Sequence, residues 1–262
     1  MGSGKHRLTF ADDGSSGADV AWLWITCHDW DDWDVDVVTA EKGGLPQSAG
    51  SADAAVPTPW TPRHPRRWPD GEHGAIRHLR TVGDPRAVIA EHSDSDLIVM
   101  GARGRGLLKS MYIGSTADWV VLDPPAPTVI VRSGHATDRV LVCTDGSADA
   151  EYAALVVERL PWISGVEVTV LGVPEEGHEA ERAVERLVER FRGAGIRASG
   201  MVREPDPLAA FYSVRDVVLT VARELEVDLL VIGSRGLSGW KARRSGSISS
   251  ALARHASCSV LI

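Results

Sequence analysis

Two rhythms of apolar residues run along this 262-residue chain, short β-branched runs and longer stretches at helical spacing, and they alternate. In the first half the pattern predicts a strand over 7–11, a turn at Asp12-Asp13-Gly14-Ser15-Ser16-Gly17, a helix over 18–25 and a strand over 35–40. The rhythm then breaks. Residues 42–72 carry Pro46, Pro57, Pro59, Pro62, Pro65 and Pro69, which excludes a long regular helix. Order resumes with a strand over 75–80 and a helix opened by Asp84-Pro85, a capping acid followed by proline at the favoured first position. Next come a strand over 97–100, a helix over about 115–122 stopped by Asp123-Pro124-Pro125, and a strand over 128–131.

After a linker at 133–138 the pattern starts again. Strands are expected over 140–143, 166–171, 196–202, 229–232 and 258–262, with helices over 150–160, 179–192 and 214–224 and from 247. The charged helix over 179–192 has no counterpart in the first half and is expected to be a solvated outer helix. Strands alternating with helices predict a parallel sheet covered on both faces, and the apolar runs 97–100 and 229–232 suit its buried middle.

The two halves are copies. Gly101-Ala102-Arg103-Gly104, followed after nine residues by Gly114-Ser115, reappears as Gly233-Ser234-Arg235-Gly236 with Gly246-Ser247, and Asp13-Gly14-Ser15 reappears as Asp145-Gly146-Ser147. Asp96 and Asp228 keep the same spacing, so the landmarks mark a tandem duplication. The implied domains are residues 1–135 and 136–262.

Charge narrows the function. With 28 Lys and Arg against 36 Asp and Glu, the net charge of -8 argues against a broad nucleic-acid footprint. Cys27, Cys143 and Cys258 are too few for a disulfide framework and read as buried apolar thiols in a reducing compartment. No apolar run reaches the ~20 residues of a membrane span, and the first residues lack a signal peptide's apolar core. A cytoplasmic protein without membrane attachment is expected.

The glycine loops carry the candidate chemistry. A Gly-rich turn between a central strand and a helix exposes backbone N–H groups, and the helix terminus favours an anion there. Gly101 and Gly104 permit the tight turn and close approach, Gly114-Ser115 opens the next helix, and Arg103, Arg105 and Lys109 supply charge, as do Arg235, Lys241, Arg243 and Arg244 in the second half. Ligands of open α/β sheets sit where strand order reverses, which sets Asp13 opposite the Gly101 loop and Asp145 opposite the Gly233 loop. Each carboxylate could accept from a ribose hydroxyl or an adenine amino group, and Ala40 or Val173 would line the base pocket. The plainer reading is that the glycines only allow turns and the aspartates only cap helices.

The pattern Gly-x2-Gly-x9-Gly-Ser after a Leu-Ile-Val-Met strand, with Asp-Gly-Ser near each start and Ala-Pro-Thr-Val-Ile-Val at the end of the first copy, resembles the universal stress protein family over nearly the whole chain. The resemblance implies two tandem doubly wound α/β domains, each a five-stranded parallel sheet in the order 3-2-1-4-5. It implies an ATP-binding stress-response or regulatory protein without efficient turnover, with ATP, alone or with Mg²⁺, as cofactor. The residues it implies are Asp13, Ala40, Gly101, Arg103, Gly104, Gly114, Ser115 and Thr116, then Asp145, Val173, Gly233, Arg235, Gly236, Gly246, Ser247 and Ile248. It also implies pairing of the two halves through their fifth strands, and a homodimer as a further assembly. The first half departs from the family in its proline-rich stretch, which replaces a helix, while the second keeps the whole pattern. The alternatives are an interaction module of the same fold that binds no nucleotide, and an ATP-using ligase; the latter lacks its Ser-Gly-Gly-x-Asp-Ser loop.

Three further features are read blandly. Gly2-Ser-Gly-Lys5 lacks the rest of a P-loop. The acidic run from His28 to Asp36 lacks the Gly and closing Glu of a calcium loop and is expected to be a solvated connection. Among the nine tryptophans, those outside the proline-rich stretch are expected to pack a core, while Trp60 and Trp68 could anchor an extended segment. No nucleophile with an adjacent base and no His/Glu metal motif is visible.

Overall fold

A computed structural model of the chain describes residues 5–41, 65–69, 74–104, 113–174, 179–204, 213–234 and 247–262. Ten strands form one sheet in the order β3-β2-β1-β4-β5-β10-β9-β6-β7-β8. The first half supplies β1 (His6–Ala11), α1 (Ser16–Thr26), β2 (Trp33–Glu41), β3 (Ile76–Val82), α2 (Pro85–Ala90), β4 (Leu97–Gly101), α3 (Ser115–Leu122) and β5 (Thr128–Val131). The second supplies β6 (Arg139–Thr144), α4 (Ala148–Arg159), β7 (Glu167–Gly172), α5 (Ala180–Gly193), β8 (Arg197–Val202), α6 (Val214–Glu224), β9 (Leu229–Val231), α7 (Ser247–His255) and β10 (Ser259–Leu261). Within each half the order is the expected 3-2-1-4-5, and every neighbouring pair there is parallel.

The halves meet edge to edge. β10 runs antiparallel to β5, Val260 opposite Ile130 and Leu261 opposite Val129. Thr128 N–H donates to Ile262 O at 2.9 Å and Ile262 N–H returns the bond at 3.0 Å. This pairing makes each face continuous across both halves. One face buries Phe10, Trp24, Val142, Leu187 and Phe191 beneath α1, α4 and α5; the opposite face buries Ile98, Ile130, Leu230 and Leu252 beneath α2, α3, α6 and α7.

Local chemistry sets the helix starts. Asp84 accepts from Arg86 N–H with Pro85 behind it, and Ser15, Ser147 and Ser213 cap α1, α4 and α6 through their hydroxyls. The helix α5 is not merely solvated. Ala183, Val184, Leu187, Val188 and Phe191 recur at helical spacing and pack on β7 and β8, leaving only its charged face to water.

The stretch from His28 to Asp36 also differs from expectation. Trp30 and Trp33 are buried, His28 is 7% exposed, and β2 begins at Trp33. Aromatic stacking outweighs the acidic residues between them, with Trp24, Trp30 and Trp33 in successive ring contact. Cys143 and Cys258 are buried as read, whereas Cys27 is exposed and donates to Gly134 O. No helix among the described residues is long and apolar enough to cross a membrane.

Candidate functional site

The two loops that follow β1 and β4 converge at the carboxyl ends of adjacent parallel strands, where strand order reverses. The first loop is built from its own side chains. Gly14 adopts a positive φ of 66°, Asp13 Oδ1 accepts from Ser15 N–H at 2.9 Å, and the Ser15 hydroxyl caps α1 by accepting from Ala18 N–H at 3.2 Å. The second half repeats this device with Gly146 at 76°, Asp145 Oδ1 to Ser147 N–H at 2.9 Å, and Ser147 to Ala150 N–H at 3.2 Å. The aspartates therefore shape the turn, and the serines are the caps.

The glycines at the end of β4 serve contact rather than unusual torsion. A Cβ on Gly101 would lie 2.5 Å from the Gly17 carbonyl carbon and oxygen, and one on Gly17 would lie 1.8 Å from Arg103 O. A Cβ on Gly104 would lie 2.7 Å from Asp13 Oδ2. Main chain of one loop thus rests on main chain of the other, and the Asp13 carboxylate faces Gly104. Gly114 closes the group, its N–H donating to Ala102 O at 2.7 Å, and Ser115 and Thr116 occupy the first turn of α3. In the second half a Cβ on Gly233 would lie 2.9 Å from Ala150 N and from the Asp149 carbonyl carbon, so the end of β9 packs on the first turn of α4.

The remaining expected residues are placed as follows. Ala40 lies in β2 beyond Val38, the last residue of that strand paired with β1. Val173 follows β7 with its side chain buried against the α6 and α7 face. Arg103 is exposed and offers its carbonyl to the Ser15 hydroxyl at 3.4 Å. Ile248 is half-buried in the first turn of α7 and packs on the same face as Val173. Ser247 begins α7. Arg105, Lys109, Arg235, Gly236, Lys241, Arg243, Arg244, Gly246 and Trp60 lie outside the described residues, as does most of 42–72.

Motif reading missed the cations beside the first site. Arg66, from the described end of the proline-rich stretch, donates to Asp12 through Nε at 2.9 Å and Nη2 at 3.1 Å, and pairs with Asp19 of α1 at 2.8 Å. Burial works against the Arg66 charge, but the hydrogen bonds and charges of Asp12 and Asp19 outweigh it and raise its pKa above the ordinary value. Residues 65–69 form a strap. Trp68 stacks on Trp22 at 5.8 Å and donates from Nε1 to Gly74 O at 2.9 Å, while Arg66 O meets His78 Nε2 at 3.2 Å.

Beneath the strap a cavity of about 80 Å³ is lined by Asp12, Val37, Thr39, Pro65 and Arg66. That is far below the ~300–1,000 Å³ of ordinary ligand pockets, and the strap covers this part of the sheet face. The second half uses α5 for the same purpose, and the ion pair has a counterpart there in Arg186 with Glu151 of α4, at 3.8 Å. At position 144, where the first half has Asp12, stands Thr144, whose hydroxyl accepts from Gly146 N–H at 3.1 Å much as Asp12 accepts from Gly14 N–H at 2.8 Å. Past β5, Arg132 is largely buried and donates to the Ala253 and Arg254 carbonyls at the end of α7. Burial and the nearby Arg103 charge lower its pKa.

A family model described as the universal stress protein family matches residues 6–132 and again 136–262. A universal stress protein of Mycolicibacterium smegmatis is 26% identical over 210 residues, covering 70% of this chain and 67% of the relative. One of Mycobacterium tuberculosis is 26% identical over 189 residues, covering 65% and 62%. The aligned part of the chain thus spans about two thirds of each relative's length. Among solved structures, a universal stress protein from Archaeoglobus fulgidus aligns with a TM-score of 0.66 at 18% identity, over 98% of this chain and 97% of that one. A Pseudomonas aeruginosa structure described as a putative universal stress protein aligns at 0.57 with 14% identity, over 99% and 92%. At these identities the structural likeness speaks for the fold.

Proposed function

The chain belongs to the universal stress protein family, and we propose that it binds ATP in at least its second half and acts as a ligand-dependent regulatory module. One observation carries this reading: in the first half the aspartate turn after β1 and the glycine loop after β4 rest on each other at the point of strand reversal, and in the second half the aspartate turn is repeated and Gly233 packs on the first turn of α4. That junction brings a carboxylate, glycine backbone and a helix start to one place, which suits a nucleotide whose phosphates meet N–H groups while its ribose or base donates to the aspartate. In the first half the residues fit, since Asp13 Oδ2 faces Gly104 and Gly114 abuts Gly104 N. There Asp13, Gly104, Gly114 and Ser115 would hold the ligand; in the second half Asp145 and Ser247 would do so.

Holding rather than turnover is the role these groups support. Asp13 and Asp145 each spend an oxygen on their own turn, whereas phosphoryl transfer needs a base free to orient its nucleophile. The test is to denature the purified full chain, identify the released small molecules by mass, and measure retention of added labelled ATP. Adenine nucleotide in the released fraction, with saturable retention, is expected. Release of no adenine nucleotide together with no retention of the label would contradict the proposal.

A further inference from the structure

The connection between the two halves is held by one aromatic cluster. From α1 and the residues after it come Trp24, His28 and Trp30; from the second half comes Trp162, just before a 3-10 turn at Ile163–Gly165. The His28 ring lies 4.2 Å from the Trp162 ring and 4.6 Å from Trp24, measured between centroids. Both imidazole nitrogens are used. Nδ1 meets Trp24 O at 2.7 Å, and Thr137 N–H donates to Nε2 at 3.0 Å. A carbonyl can only accept and an amide N–H can only donate, so the ring is neutral, with its proton on Nδ1.

The same connection is tied twice more to α1 and its end. Trp24 Nε1 donates to Thr137 Oγ1 at 3.2 Å, and Cys27 Sγ donates to Gly134 O at 3.3 Å. Charging His28 would place a second N–H against the Thr137 N–H, so the acceptor would be lost and two donors would face each other. Little in the surroundings compensates. Trp24, Trp30 and Trp162 present aromatic rings, Trp162 Nε1 is itself buried without a hydrogen-bond partner among the described residues, and the charged groups acting on His28 are Asp138, which favours its protonation, and His135, which opposes it. Burial is the largest influence and holds the His28 pKa below its ordinary value.

We propose that the His28–Thr137 hydrogen bond is an acid-sensitive latch on the connection between the two halves, and that protonating His28 releases residues 133–138 while both halves stay folded. The geometry favours local release. The β5–β10 pairing and the Arg254–Asp118 ion pair between α7 and α3, at 2.6 Å, join the halves elsewhere and contain no histidine. The latch would make the coupling of two ligand-binding halves respond to acidification, and its geometry holds whether or not ATP is the ligand.

The test is amide hydrogen exchange of the full chain between pH 7.5 and about pH 5, corrected for intrinsic exchange, in wild type and His28→Gln. Glutamine keeps an acceptor for Thr137 N–H but cannot be charged in this range. In wild type, protection at Thr137 and its neighbours should fall at least about tenfold on acidification while β1 and β6 amides keep theirs, as expected for a lost buried hydrogen bond. In His28→Gln the loss should vanish. Wild-type protection at Thr137 that stays constant to pH 5, or an equal loss in both proteins, overturns the latch. Should His28→Gln fail to fold, nitrogen-15 shifts of wild-type His28 decide: an unprotonated Nε2 at pH 7.5 that gains its proton together with the loss of Thr137 protection supports the latch, and titration of the ring without that loss refutes it.

Discussion

An alanine at position 17 would bring its methyl carbon within 1.8 Å of the Arg103 carbonyl oxygen. Both partners are backbone, so neither can rotate away, and Gly17→Ala should destabilise the chain by ~2–3 kcal/mol. The check is the urea midpoint at constant slope, with Gly165→Ala as a control, because nothing lies within 4 Å of that added carbon. Equal midpoints would mean that the two loops do not touch. His28 gives a pH dependence of definite sign. Burial, opposed by the Trp24 hydrogen bond, lowers its folded pKa below the model-peptide value of 6.5. Between those values the unfolded chain binds the proton and the folded chain does not, so the stabilisation is present above 6.5 and is lost as pH falls towards the folded pKa. The wild-type urea midpoint should therefore drop more between pH 7.5 and about 5 than that of His28→Gln; parallel profiles would contradict this. Sequence made Asp84 legible as a cap and Ser15 as a turn residue because their partners lie two or three positions away, but it offered the neighbouring aspartates as caps where the Ser15 and Ser147 hydroxyls serve. It hid His28, whose acidic neighbours suggest a solvated stretch and whose packing partner, Trp162, comes from the other half.

At the level of elements, the main difference between the halves is what covers β2 and β7. In the second half α5 does so with a regular apolar stripe, where the sequence suggested only a charged, solvated outer helix. In the first half residues 65–69 cover the sheet there through two anchors, Arg66 and Trp68. Asp12 is 6% exposed, so removing Arg66 leaves a buried carboxylate without its cation, and Arg66→Met should cost ~3 kcal/mol. Adding Asp12→Thr, the residue at the matching place in the second half, should recover most of that loss. The double-mutant cycle in urea reads the coupling, and simple additivity would show that the pair does not hold the strap. By contrast Arg182→Ala, whose ion pair with Glu179 is exposed, should change stability by less than ~0.5 kcal/mol. Trp68 was legible as an anchor of an extended segment, whereas Arg66 escaped sequence reading because an arginine's partner cannot be inferred from proline content; the glycine loops were legible because duplication marked them twice.

Among the described residues the two tandem domains share one ten-stranded sheet. The antiparallel seam between β5 and β10 is short, so each backbone bond across it matters. Val260→Pro removes an N–H within β10 and should destabilise the chain by ~3 kcal/mol while separating the unfolding of the halves into two transitions, seen by calorimetry. A single unshifted transition would show that the seam does not couple them. Fold class was legible from alternation and the repeat, while the strand order within each half and the pairing of the fifth strands were legible only through the resemblance to the family; the continuity of both cores across the seam emerges only in three dimensions. That continuity sets two nucleotide-site candidates on a common frame. Their occupancy is measured most directly by calorimetric titration of the full chain with ATP and Mg²⁺, beside the double variant Asp13→Asn, Asp145→Asn. Asparagine can still accept from the Ser15 and Ser147 N–H groups but turns a donor towards the ligand. A saturable heat in wild type that is lost in a folded double variant is the predicted result; no heat at millimolar ATP, or the same heat in both proteins, would contradict it.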